Sequence, residues 1–152
     1  MNPDSLNCLW RSEPYGLSDL SARIEGLVEH LQWGDVVALQ APMGTGKTTL
    51  VSAVAKHHKA QDVASSPTFA LCQSYPVAPD KVIRHLDLYR IRHVDELLDL
   101  GWDELMEDGD ALTFVEWPEK AADEFPESAV LLRIERLPDG KRMATLWQRE
   151  SA

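Results

Sequence analysis

The stretch A-P-M-G-T-G-K-T-T, residues 41–49, decides how the rest of the chain is read. A short apolar run, V-V-A-L-Q at 36–40, precedes it, and T-T-L-V-S-A-V-A-K-H-H at 48–58, free of Gly and Pro, follows. Strand, glycine-bearing loop, Lys-Thr and helix is the order of a phosphate-binding loop, G-x-x-x-x-G-K-[ST]. Glycines let successive peptide N–H groups turn toward one anion without Cβ clashes. The helix N-terminus adds about half a positive charge aimed at the same point. On this reading Met43, Gly44, Thr45, Gly46, Lys47, Thr48 and Thr49 bind nucleotide. Lys47 reaches the β/γ-phosphates and the Thr48 hydroxyl ligates Mg²⁺. The first position departs from the pattern, with Ala41 in place of Gly, and Pro42 beside it has no N–H to offer. Were Ala41 required to be left-handed, the cost would be roughly 1–2 kcal/mol, small beside several N–H donors and a lysine.

Outward from the loop, Leu17, Leu20, Ile24, Leu27, Val28 and Leu31 recur at helical spacing and predict an amphipathic helix over 17–32. Gly34 and Asp35 end it. Downstream, S-S-P-T-F at 65–69 is turn-like, and A-L-C-Q-S-Y after it reads as a strand. K-V-I-R-H-L-D-L-Y at 81–89 alternates in part, as a strand with one face less buried. V-D-E-L-L-D-L-G-W-D-E-L-M at 94–106 is helical in two pieces around Gly101. A-L-T-F-V at 111–115 is a fully apolar strand that stops at Glu116, and Pro118 suits the first position of a helix P-E-K-A-A-D-E. At the end, V-L-L-R-I-E-R-L and K-R-M-A-T-L-W flank the turn signal P-D-G and predict an antiparallel hairpin. Strands mixed with helices around one loop imply an α/β fold. The expectation is a single P-loop NTPase-like domain over 1–152, with a core of about 17–147. Its sheet is mixed but mostly parallel, flanked by helices and closed by the C-terminal hairpin.

A phosphate-binding loop that uses Mg²⁺ needs a carboxylate nearby, because the ion demands octahedral oxygen ligands and takes one or two from protein. Two acids end strands, Asp87 in R-H-L-D-L-Y and Glu116 in T-F-V-E-W-P-E. Ligands of α/β sheets gather beyond the carboxyl ends of the strands, so both fall where the loop lies. An apolar strand terminating in an acid makes Glu116 the better metal-ligand candidate.

A formal net charge of −10 repels phosphate backbones at long range and argues against independent tight binding to nucleic acid. Two cysteines, Cys8 and Cys72, form neither a disulfide framework nor a metal spacing. The first residues lack a charged-then-apolar signal region, and no apolar run approaches the roughly 20 residues of a membrane span. These features point to a reduced cytoplasmic protein.

Four segments, G-T-G-K-T-T, S-S-P-T-F, H-L-D-L-Y-R and F-V-E-W-P-E, together resemble the TsaE (YjeE) family of small bacterial P-loop ATPases in order and spacing. They lie within 44–119, about half the chain. The resemblance implies a Mg²⁺-dependent, slow ATPase that serves the making of threonylcarbamoyladenosine at position 37 of tRNA. It implies binding to, and resetting of, a heterodimer of the TsaB and TsaD proteins, with tRNA met only indirectly. The cofactors implied are ATP and Mg²⁺. By position, the family's loop residues fall on Gly44, Gly46, Lys47, Thr48 and Thr49. The threonine of S-P-T-F falls on Thr68, which would sense the γ-phosphate or Mg²⁺. The family glutamate falls on Glu116 as metal ligand. The aspartate of D-L-Y-R falls on Asp87, which would orient the attacking water or hold the metal's outer shell. Lys47, Asp87 and Thr68 are thus the implied catalytic residues, and Thr48 and Glu116 the implied metal ligands. Trp117 follows as a family residue, at a partner-facing surface or simply in the core.

Three other readings use the same loop, of which a GTP-operated switch is disfavoured because the guanine-reading N-K-x-D pattern is absent. A small-molecule kinase would need a basic lid, for which only Arg84, Arg90 and Arg92 are candidates. A non-hydrolysing, nucleotide-gated binding module would need no attacking water at all.

Overall fold

A computed structural model describes residues 5–42, 46–61, 64–65 and 72–149. Among the described residues eight strands form one sheet: β1 Leu6–Arg11, β2 Val36–Gln40, β3 Ala64–Ser65, β4 Cys72–Val77, β5 Lys81–Asp87, β6 Ala111–Glu116, β7 Val130–Arg136 and β8 Arg142–Arg149. Four α-helices accompany them: α1 Leu20–Val28, α2 Lys47–His57, α3 Glu96–Asp99 and α4 Trp102–Glu107. Short 3-10 segments cover Leu17–Asp19 and Pro118–Glu124. The strand order across the sheet is β1-β8-β7-β2-β6-β5-β4-β3. The four central strands, β7, β2, β6 and β5, run parallel to one another. The outer pairs β4–β5, β7–β8, β3–β4 and β1–β8 are antiparallel. The expected mixed α/β sheet with a parallel centre and a terminal hairpin is therefore present.

Parallel strands between two helical layers must bury both faces, and β2 does. Val37 and Leu39 join one hydrophobic cluster with Leu27, Leu50, Val51 and Val54 of α1 and α2. Val36 and Ala38 point the other way, into a cluster with Leu97, Trp102 and Met106 of α3 and α4 and with Phe125. Period-2 alternation thus divides the core into two slabs, and it does the same on β6. Leu112 and Phe114 enter the α1/α2 slab, whereas Val115 enters the other. Glu116 shares the parity of Leu112 and Phe114, so the strand delivers its carboxylate to the side on which α2 begins.

Three sequence expectations are corrected. The first helix is shorter than 17–32, with its regular part confined to Leu20–Val28 behind a 3-10 turn. Its last expected member, Leu31, still packs against the core from the turn that follows. The segment after Pro118 is 3-10 rather than α-helical, because Ala121 (φ −138°) leaves helical geometry in its middle. The folded sheet also begins before residue 17. β1 pairs with β8 through a register shift between Cys8 and Trp10. The indole of Trp10 then lies on α1, where a Cβ on Gly26 would stand 2.8 Å from its Nε1. Only a residue without a side chain admits that approach.

Phe114 is fully buried at the middle of the α1/α2 slab. Replacing it by alanine removes its transfer free energy and leaves a cavity between a strand and a helix that cannot both relax. Phe114→Ala should lower the unfolding free energy by about 3–5 kcal/mol, read as a lower urea midpoint at unchanged slope.

Candidate functional site

The parallel strands β2 and β6 end side by side, with Leu39 opposite Glu116. Gly46 caps α2 in the left-handed region (φ 88°, ψ 34°), and its carbonyl accepts the first helical bond from Leu50 N–H at 2.9 Å. A Cβ there would meet nothing nearer than 3.9 Å. Glycine is required at 46 for its backbone angle, not for space. Ala41 is different. Among the described residues the only non-glycines with positive φ are Lys59 and Trp117, so Ala41 carries no left-handed penalty.

Lys47, the first residue of α2, turns its ammonium inward rather than to solvent. Its Nζ lies 3.7 Å from Glu116 Oε1 and 4.9 Å from the centre of the Trp117 ring. Trp117 can stand there because it is itself left-handed (φ 58°, ψ 53°) and turns the chain sharply out of β6 into Pro118. A non-glycine in that region costs roughly 1–2 kcal/mol and is tolerated where its surroundings hold it. Tyr89, just past β5, meets the same indole with ring centres 5.2 Å apart and planes tilted by 51°, and it remains half-exposed. Trp117 is therefore neither a plain core residue nor a freely exposed one. It bridges Lys47 and Tyr89.

On the inner side of Glu116 stands His85 of β5, 5% exposed, with Nε2 3.1 Å from Glu116 Oε2. The approach is close but off-axis, and this Nε2 has no aligned hydrogen-bond partner among the described residues. Burial alone would push the Glu116 carboxyl up. The contact and charge of His85, then those of Lys47, outweigh it and hold the group below the usual carboxylate range. Glu116 is accordingly a buried anion poised between two nitrogen groups.

Asp87 and Glu116 are register partners in the parallel β5–β6 pair, so both expected acids reach the same end of the sheet. They differ in what they do there. Asp87 accepts a hydrogen bond from Tyr89 N–H at 3.0 Å and shapes the turn after β5. Glu116 makes the ion pair with Lys47. Thr48 and Thr49 are exposed on the first turn of α2. Met43, Gly44, Thr45 and Thr68 lie outside the described residues. The basic group read as Arg84, Arg90 and Arg92 does not form one cluster. Arg84 is held by Asp108 at 2.6 Å, whereas Arg90 and Arg92 line a cleft with Tyr89, Ile91 and Lys120. A second open cleft of about 740 Å³ runs past Gln40, Ala41 and Pro42 to Arg133 and Arg136 of β7, with Trp117 at its edge.

Sequence reasoning passed over His85. The signal was available: in I-R-H-L-D, Ile83 and His85 share the parity of Asp87, so a polar side chain was due on the face that leads to the site.

The family model for the threonylcarbamoyl adenosine biosynthesis protein TsaE matches residues 16–144. The chain belongs to the TsaE family. It is 34% identical over 116 residues to the tRNA threonylcarbamoyladenosine biosynthesis protein TsaE of Treponema pallidum, covering 76% of this chain and 84% of that one. It is 33% identical over 127 residues to the Aquifex aeolicus protein of the same name, covering 82% and 86%. The Bacillus subtilis TsaE is 33% identical over 114 residues, covering 74% and 68%. In three dimensions the chain matches the crystal structure of YdiB from Bacillus subtilis with a TM-score of 0.73, covering 95% of this chain and 88% of that one. At 23% identity that likeness speaks for the fold. The matched span of the TsaE model contains α2, β5 and β6 entire, so Lys47, His85, Asp87, Glu116 and Trp117 all fall within it.

A carboxyl held below its usual range stabilises the fold only while it is ionised. That contribution is complete above the unfolded value of about 4.3 and disappears as pH falls through the lower, folded value. Without nucleotide or metal, Glu116→Gln should therefore differ most from the parent near neutral pH. The gap between their urea midpoints should narrow as pH drops below about 4.3. A gap that widened toward acid would contradict the assigned direction.

Proposed function

We propose that this TsaE-family chain serves tRNA threonylcarbamoyladenosine biosynthesis as a slow, Mg²⁺-dependent ATPase. Its proposed role is to bind and reset a complex of the TsaB and TsaD proteins in the cytoplasm, meeting tRNA only through that complex. The family description supports the pathway. The observation that carries the chemistry is Lys47 at the first position of α2, 3.7 Å from a buried carboxylate that ends a parallel strand.

The residues present fit a magnesium nucleotide. Gly46 is left-handed at the start of an eleven-residue helix, so the first amides of α2 and the Lys47 ammonium stand where an anion would gather. Among the described residues no group of three His, Cys, Asp or Glu side chains forms a ready metal cage. Mg²⁺ does not need one, since beside phosphate it takes one or two protein ligands and keeps several waters. Glu116 and the exposed Thr48 hydroxyl would hold it, and Met43–Thr49 would wrap the phosphates. When bound, the ion would neutralise charge on the phosphoryl oxygens. Lys47 would exchange its contact with Glu116 for the β/γ-phosphates. Asp87 would orient the attacking water, and Thr68 would sense the γ-phosphate. Among the described residues the ion pairs of Glu116 are with Lys47 and His85 rather than with an arginine. Slow turnover accords with that, because an arginine supplied to such a site is worth ~10³–10⁵ in rate.

The separation of Arg84 from Arg90 and Arg92 weighs against the basic lid that a small-molecule kinase would need. Phosphate released from ATP with no acceptor present distinguishes the ATPase from such a kinase. Lys47→Ala should remain folded yet lose phosphate release by at least ~100-fold, the scale of removing one transition-state donor. Cells carrying only this variant should lack the modified adenosine, and normal modification in them would refute the motor role. Capture of TsaB and TsaD should also depend on whether ATP or ADP is present. With a net charge of −10, association should weaken from low to physiological salt, whereas salt-insensitive capture would indicate an apolar interface.

A further inference from the structure

We infer that His85 is a positioning residue: it holds Oε2 of Glu116 from the protein side, so that Oε1 is the oxygen presented to the nucleotide-bound metal. The inference rests on the proposed role of Glu116 as metal ligand. The two oxygens of this carboxylate have different neighbours, with Oε2 3.1 Å from His85 Nε2 and Oε1 3.7 Å from Lys47 Nζ. Lys47 starts the phosphate-binding helix, and its ammonium is the partner that a polyphosphate would draw away. His85 belongs to the interior of β5, and its side chain is only 4% exposed. It cannot follow a ligand, and its Nε2 makes no aligned hydrogen bond among the described residues, which leaves Glu116 Oε2, 3.1 Å away, as its polar neighbour. When the lysine leaves, the imidazole is the group that still fixes the carboxylate's rotation. Without it, a buried carboxylate would keep one oxygen unpaired and could turn that oxygen toward the metal or away from it. Partners behind a ligating group typically alter metal affinity by about 10–100-fold.

Strand geometry supports the assignment. Phe114 is the register partner of His85, and Asp87 that of Glu116, so His85 reaches Glu116 diagonally across the parallel pair on the α2 face. A hydrophobic residue at 85 would satisfy the slab. The imidazole is there for the carboxylate.

The test compares three variants of the full chain by calorimetric titration with ADP, with and without Mg²⁺. A glutamine amide nitrogen extends to about where Nε2 lies, whereas an asparagine amide stops near the Nδ1 position. His85→Gln should keep the gain in ADP affinity that Mg²⁺ provides. His85→Asn should lose about tenfold of that gain, with metal-free affinity unchanged within about twofold. His85→Phe should behave as Asn does. If it fails to fold, the Gln–Asn pair, alike in polarity, still decides. Equal Mg²⁺ gains for Gln and Asn, or equal losses with and without metal, would overturn the inference. Glu116→Gln separates the two levels. If it loses the Mg²⁺ gain while all His85 variants keep it, the positioning role alone fails. If it retains the gain, the metal role of Glu116 fails and takes the positioning role with it.

Discussion

A carboxylate buried at the end of a hydrophobic strand is the constraint around which this molecule is arranged. An ionised group deprived of water is expensive unless opposite charge and hydrogen-bond donors stand close by. Glu116 is 6% exposed, and its neighbours Lys47 and His85 come from two other elements, α2 and β5. Holding the anion therefore requires β6 between β2 and β5, with α2 packed on the face that Leu112 and Phe114 share with Glu116. The order of the central strands and the charge balance of the site express one requirement.

The same constraint explains the backbone at the sheet's end. A strand that delivers its last side chain inward here leaves the sheet at once. Trp117 makes that exit in a left-handed conformation, and Pro118 prevents a return to sheet pairing because it has no N–H to give. The exit places the indole over the Lys47 ammonium, where ring electrons supply some of the charge compensation that water would otherwise give. Across the sheet, Asp87 performs a comparable task by accepting Tyr89 N–H, which brings the phenol ring onto the same indole.

Much of this was legible in the order of residues because it is local. A strand, a left-handed glycine and a helix opening with Lys47 need only neighbours in the chain to be recognised, and so does an apolar strand that stops at Glu116. The hairpin of β7 and β8 is likewise announced by its P-D-G turn. What escaped depends on contacts between distant positions. β1 carries only weak alternation of its own, and its existence depends on pairing with β8 at the other end of the chain. Arg84 is near Arg90 and Arg92 in the chain, but it sits inside β5 and pairs with Asp108, whereas the other two follow the strand and line a cleft. His85 resembled any strand histidine, because nothing local reveals that its diagonal neighbour on β6 is an acid. The loop's first residue departs from the glycine pattern, but φ at position 41 is not positive, so alanine carries no left-handed penalty there.

The arrangement has one mechanical consequence. Lys47 serves two anions that cannot both hold it, the Glu116 carboxylate of the apo protein and the phosphate tail of the proposed ligand. Whichever holds the ammonium also determines whether it remains under the indole of Trp117, and that indole packs, tilted, against the half-exposed Tyr89. Two contacts, Lys47 with Trp117 and Trp117 with Tyr89, thus lead from α2 to a surface beside the cleft of Arg90, Arg92 and Lys120. His85 is outside that route. It stays with Glu116 when the lysine departs, so the carboxylate keeps its place while the cation and the rings above it are free to change theirs. The proposed metal binding and the proposed response to nucleotide call for those two behaviours in different residues, and the burial of His85 beside the exposure of Tyr89 provides the division.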